Sequence, residues 1–95
     1  MVINNLLIKL KESDKDSIDK TREVLLSMKG KINVLLNIQI EADIRRGESS
    51  YDILLITHFS TMSDLEAYLI HPVHLEVSKY IAEVIASSAA VCYEV

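Results

Sequence analysis

Apolar positions recur along this chain at spacings of two and of three to four, and the switches between the two lay out an order of elements. From Val2 to about Leu10 both alternating sets are apolar, Val2, Leu6, Ile8 and Leu10 on one face and Ile3 and Leu7 on the other. That pattern predicts a strand. Ser13-Asp14-Lys15-Asp16 resembles a capping box ahead of a helix whose stripe is Ile18, Leu25 and Met28, with Val24 beside them. Gly30 is placed to supply a left-handed C-cap. In the next strand Val34, Leu36, Ile38, Ile40, Ala42 and Ile44 alternate with Leu35, Asn37, Gln39, Glu41 and Asp43, so one face is buried and the other is polar apart from Leu35. After a polar turn, Arg45 to Ser50, a third strand from Tyr51 to about Phe59 is apolar on both faces. Thr61-Met62-Ser63-Asp64 caps a short helix with Leu65, Tyr68 and Leu69 inward. Val73, Val77, Tyr80, Ile81, Val84 and Ile85 form a further helical stripe, and Ala89 to Val95 alternates as a closing strand.

Strand, helix, strand, strand, helix pair, strand is the order of a split βαβ unit, with an antiparallel four-stranded sheet and all helices on one face. This is an α+β domain spanning residues 1–95, with no repeat or linker. The face away from the helices keeps Ile3, Leu7, Leu35, Leu54 and Ile56. An apolar patch rimmed by polar groups predicts a partner, and the simplest is a second copy about a two-fold axis.

Composition narrows the classes of function. With 14 acidic and 10 basic residues the net charge is −4, which argues against nucleic acid, whose phosphates require a basic patch. No apolar run approaches the ~20 residues of a membrane span. Cys92 is the only cysteine, so no internal disulfide forms, and no signal peptide precedes the first strand; a cytoplasmic protein is expected. Cys92 itself reads as a buried strand residue.

The candidate chemistry lies in Tyr68-Leu69-Ile70-His71-Pro72-Val73-His74. Proline fits the first turn of a helix but cannot continue one through its own position, so one helix is expected to stop near Ile70 and another to start at Pro72. A neutral His74 in a pocket can act as general base, and Tyr68 can donate to an oxyanion or to the imidazole; the plainer reading has His74 fixing the helix corner through local hydrogen bonds. His71 reads as a cap at the helix start. A metal would need both histidines to converge and a further ligand, so none is expected. His58 has the parity of Leu54 and Ile56 and would face the open side of the sheet, near Asn37, Gln39 and Glu41.

This segment, with Phe59-Ser60-Thr61-Met62-Ser63-Asp64-Leu65 before it, resembles the signature of the stress-responsive dimeric α/β-barrel (Dabb) family; the opening Leu6 to Lys11 and the closing Ala89 to Glu94 resemble it too. The resemblance implies a ferredoxin-like protomer whose sheet packs face to face in a homodimeric α/β barrel. Some plant members are polyketide cyclases that use a tyrosine and a histidine between helices and sheet, and these fall on Tyr68 and His74. Where such enzymes carry further histidines, this chain has Asn4 and Ile53. The resemblance therefore implies a pocket of Asn4, Leu6, Ile53, Leu55, Tyr68, His71 and His74, with Tyr68 and His74 as the catalytic candidates. The expected function is binding of a small apolar ligand without a cofactor. The alternatives are an enzyme of the same architecture (polyketide-cyclase-like or a cofactor-free oxygenase) and a structural stress-protective dimer.

Overall fold

A computed structural model describes residues 1–95. The elements are β1 (Val2–Leu10), α1 (Lys15–Leu26), β2 (Asn37–Ala42), β3 (Ile53–Phe59), α2 (Met62–Leu69), α3 (Pro72–Val84) and β4 (Ile85–Glu94). The strands form one antiparallel sheet in the order β2-β3-β1-β4, the split βαβ arrangement that the element order predicts.

Register divides the two faces. Val2, Ile8 and Leu10 of β1 are buried, as are their β3 neighbours Ile53, Leu55, Thr57 and Phe59 and then Ile38 and Ile40 of β2. These positions meet Ile18, Leu25, Leu65, Tyr68 and Val77 from the helices in one core. Because side chains alternate along a strand, Ile3, Leu7, Leu54, Ile56, Val91 and Tyr93 lie on the opposite face, which no helix covers. Leu7 is 37% exposed, Val91 65% and Tyr93 46%, so an apolar surface faces outward.

The local chemistry departs from expectation at several points. Asp14, not Ser13, is the N-cap of α1, and its carboxylate accepts the Ser17 N–H at 2.8 Å. Ser13 is drawn away by Asp52, to which its hydroxyl donates at 2.9 Å. The helix ends at Leu26 with Ser27 as its C-cap; Gly30, at φ +77°, turns the chain further on. The second strand begins only at Asn37, because Ile32 to Leu36 runs through turns closed by the bond from Leu35 N–H to the Ile32 carbonyl at 3.1 Å. Parity therefore does not reach back to Leu35, which packs against the core and not on the open face. Leu36 and Ile44, expected inside, are 52% and 95% exposed. The chain passes from α3 into β4 at Ile85, with no intervening loop, four residues before the expected start. β4 pairs only with β1, and its residues from Ala86 onward are exposed, Cys92 among them; Cys92 is not a core residue because an edge strand here has no helix over it.

Asp52, which the sequence pattern did not single out, ties the ends of three elements. Its side chain is almost fully buried and Oδ2 accepts the Leu10 N–H at 2.8 Å as well as the Ser13 hydroxyl, with Lys9 Nζ 3.6 Å from Oδ1. Burial alone would raise its pKa, but the bonds from Leu10, Ser13 and Lys9 prevail and hold it below the usual carboxylate value.

Candidate functional site

The corner between α2 and α3 is built by local rules. Thr61 caps α2, its hydroxyl accepting the Asp64 N–H at 3.1 Å. The helix ends at Leu69, and His71 adopts extended geometry (φ −65°, ψ 138°), as a residue before proline must. Pro72 then opens α3. The His71 Nδ1 accepts the Val73 N–H at 3.1 Å and is the cap of that helix, so His71 is committed to the backbone.

One turn on, His74 folds back over α2. Its Nδ1 lies 3.0 Å from the Leu69 carbonyl oxygen. A carbonyl oxygen only accepts, so in the neutral ring Nδ1 carries the proton and Nε2 keeps a lone pair. Burial lowers the His74 pKa below its usual 6.5, against the opposing effect of the Leu69 carbonyl, and the ring is neutral at pH 7. The Ser78 hydroxyl is 3.4 Å from the same Nδ1. The His74 and Tyr68 rings stack at a tilt, with centroids 4.4 Å apart, and Tyr68 in turn meets Phe59 at 5.0 Å. Burial pushes the Tyr68 phenol up to about 12, so it stays protonated at physiological pH. Its hydroxyl donates to the Met28 sulfur at 3.7 Å.

These groups border a cleft of about 280 Å³ between the helices and the sheet. Asn4, Leu6 and Leu55 form its floor, α1 contributes Leu25 and the turn after it Met28, and Val77, Ser78 and Ile81 of α3 close one side. No lining residue other than His74 and Tyr68 is titratable, and the lining holds no Lys, Arg, Asp or Glu. The Asn4 side-chain amide has no hydrogen-bond partner in the protein. Of the seven positions expected from sequence, Asn4, Leu6, Leu55, Tyr68 and His74 are brought together here. Ile53 is not: it sits one pair of residues further along β3, opposite Ile8, at 1% exposure within the core. His71 is not either, because capping turns its ring to the backbone. Sequence reasoning missed Leu25, Met28, Leu69, Val77, Ser78, Ile81 and Ala82 as lining residues, although the helical stripes contain all of them but Ser78 and Ala82. No cluster of three or more His, Cys, Asp or Glu side chains is positioned to hold a metal ion. His58 lies on the open face opposite Asn37 and Ile3, remote from the cleft. No helix is long and apolar enough to cross a membrane.

A stress responsive A/B barrel domain (Dabb) matches residues 5–95. Among solved structures, a dimeric protein of unknown function with a ferredoxin-like fold from Bacteroides fragilis NCTC 9343 is similar over 99% of this chain and 95% of that one, with 27% identity and a TM-score of 0.84. A dimeric ferredoxin-like protein of unknown function from Thermobifida fusca YX covers 99% and 90%, at 21% identity and a TM-score of 0.86. A hydroxynitrile lyase from Passiflora edulis covers 99% and 92%, at 12% identity and a TM-score of 0.84, and this last likeness is one of fold alone. No curated protein matches the chain.

Proposed function

We propose that this chain, which belongs to the stress responsive A/B barrel domain (Dabb) family, is a cytoplasmic homodimer that binds a small, mostly apolar ligand in the cleft between helices and sheet. The carrying observation is the cleft: about 280 Å³, nine of its 12 lining residues hydrophobic, with Tyr68 and His74 side by side on its wall. A concave apolar site with a few convergent polar groups is the usual form of a small-molecule pocket. The dimer is supported by the outward apolar face of the sheet and by relatives described as dimeric.

An enzymatic reading has one observation in its favour, the free Nε2 of a neutral His74. Against it, the cleft provides no second group that titrates near neutral pH. Tyr68 is held protonated, and Asn4 and the displaced Ile53 bring no proton acceptor of use. Binding is therefore the better reading. The test is a screen of small neutral aromatic and aliphatic compounds by amide chemical shifts. Saturable shifts are expected at Asn4, Leu55 and Ser78, and His74→Ala should weaken binding about threefold to tenfold, the loss of apolar contact with the ring, while leaving the fold intact. Shifts confined to residues outside the cleft refute the binding site. Turnover of a bound compound that His74→Ala abolishes would favour the enzyme.

A further inference from the structure

We infer that Met28 sets the cleft's preference for uncharged carbonyl compounds, by holding the Tyr68 hydroxyl in a bond weak enough for a ligand's carbonyl oxygen to replace. The inference rests on the ligand-binding reading above and adds to it a chemical class and a residue that determines specificity.

Tyr68 is 3% exposed and Met28 fully buried, and both border the cleft. A buried tyrosine hydroxyl normally finds an oxygen acceptor. Here its partner is a thioether, a weak acceptor, at 3.7 Å. The hydroxyl is thus held in place without being satisfied as an oxygen would satisfy it. An incoming carbonyl oxygen exchanges O–H···S for O–H···O, and the gain goes to the ligand.

The remaining polar groups select the rest of the ligand. His74 has spent its proton on the Leu69 carbonyl, so Nε2 can only accept and does not compete to donate to a carbonyl. The Asn4 amide stands free at the floor as a second donor. The lining holds no Lys or Arg, so a carboxylate would enter without a counter-charge, and it holds no Asp or Glu to receive an ammonium group. A neutral carbonyl on an apolar body fits what is left.

Three probes of nearly equal size separate these effects: acetophenone, benzoate and ethylbenzene. Protein labelled with ¹³C at the methionine methyls reports on Met28 against Met1 and Met62, both about half exposed; amide shifts at Asn4 and Ser78 follow the variants. In the wild type, acetophenone is expected to bind about threefold to tenfold more tightly than ethylbenzene, one net hydrogen bond, and benzoate to give no saturable shift. Met28→Leu keeps the volume and removes the competing sulfur, so acetophenone should bind severalfold more tightly while ethylbenzene changes less than about twofold. Met28→Gln supplies a strong internal acceptor and should reverse the effect; Met28→Leu carries the test if that variant does not fold. Tyr68→Phe should erase the preference for acetophenone over ethylbenzene. A merely structural Met28 would move both neutral probes together. Equal binding of acetophenone and ethylbenzene to the wild type, or acetophenone binding unmoved by Met28→Leu, overturns the inference while leaving the binding site in place. If neither neutral probe shifts a cleft residue, the binding reading fails and this inference fails with it.

Discussion

Replacing Asp52 should unfasten the point where β1, α1 and β3 meet. The carboxylate takes two short bonds on one oxygen, from Leu10 N–H at 2.8 Å and Ser13 Oγ at 2.9 Å. A hydrogen bond to a charged acceptor contributes about 1.5–3 kcal/mol. In Asp52→Asn the side-chain carbonyl can still accept from Leu10, and Ser13 can turn to the Leu10 carbonyl it already approaches at 3.4 Å. The loss is then the Ser13 bond, the charge on the Leu10 bond and the pairing with Lys9, about 1–2 kcal/mol. Asp52→Ala strands the Leu10 N–H in a buried place and should cost about 3–4 kcal/mol. For a chain of this size each kcal/mol lowers the melting temperature by roughly 4–8 °C. The pH dependence follows from the direction of the shift. The folded carboxyl titrates below its unfolded value of 3.8, so its stabilisation is complete above that value and is lost as pH falls through the folded one. The measurement is urea unfolding followed by circular dichroism at one fixed protomer concentration, because dimerisation would shift apparent stability. The gap between wild type and Asp52→Ala should be flat above about pH 5 and shrink below about pH 4. An alanine variant as stable as the wild type at pH 7, or a gap unchanged well below the ordinary carboxylate range, would refute this account.

Leu54→Lys places a charge on the uncovered face of the sheet, beside Leu7 of β1, and should convert the proposed dimer to monomer; sedimentation at micromolar concentration checks this, and a wild type that sediments as a monomer removes the dimer altogether. His71→Ala deletes the cap on α3 and should cost about 1 kcal/mol in thermal unfolding, with the start of α3 at Pro72 still visible in backbone chemical shifts. A ring titration of His74 by NMR should give a midpoint below 6.5. Because the folded value is the lower one, any stability linked to this ring is complete above 6.5 and declines as pH falls below it; a midpoint above 6.5 would mean that the Leu69 carbonyl outweighs burial.

Periodicity made the sheet legible wherever one face of a strand is buried in its own chain. Ile38 and Ile40 alternate with Asn37, Gln39 and Glu41 and lie where the pattern puts them. The same pattern misled at both ends of that strand, because alternation of apolar letters says nothing about where pairing stops. Leu36 and Ile44 continue the rhythm past the last paired residues and are exposed. The Tyr68-to-His74 corner was legible for a different reason: proline constrains its own φ and its predecessor, so the break and the cap at His71 follow from backbone chemistry. Asp52 was not legible, since a lone acid before an apolar run gives no sign that two donors from a distant strand end and turn converge on it.

The cleft lies between these cases. Strand parity brought Asn4, Leu6 and Leu55 to its floor, and the helix break brought Tyr68 and His74 to its wall. Ile53 shares their parity and still falls outside, because parity fixes a face while distance along the strand decides what that face meets. β4 extends the point. Ala90 and Cys92 stand directly across from Leu6 and Asn4 on the helix side of the sheet, yet both are exposed. They belong to an edge strand with small side chains and no helix above it, and no residue of that strand lines the cleft. The cleft is walled instead by Leu25 and Met28 on one side and by Val77, Ser78 and Ile81 of α3 on the other. That asymmetry is a property of packing, and alternation in the sequence carries no trace of it.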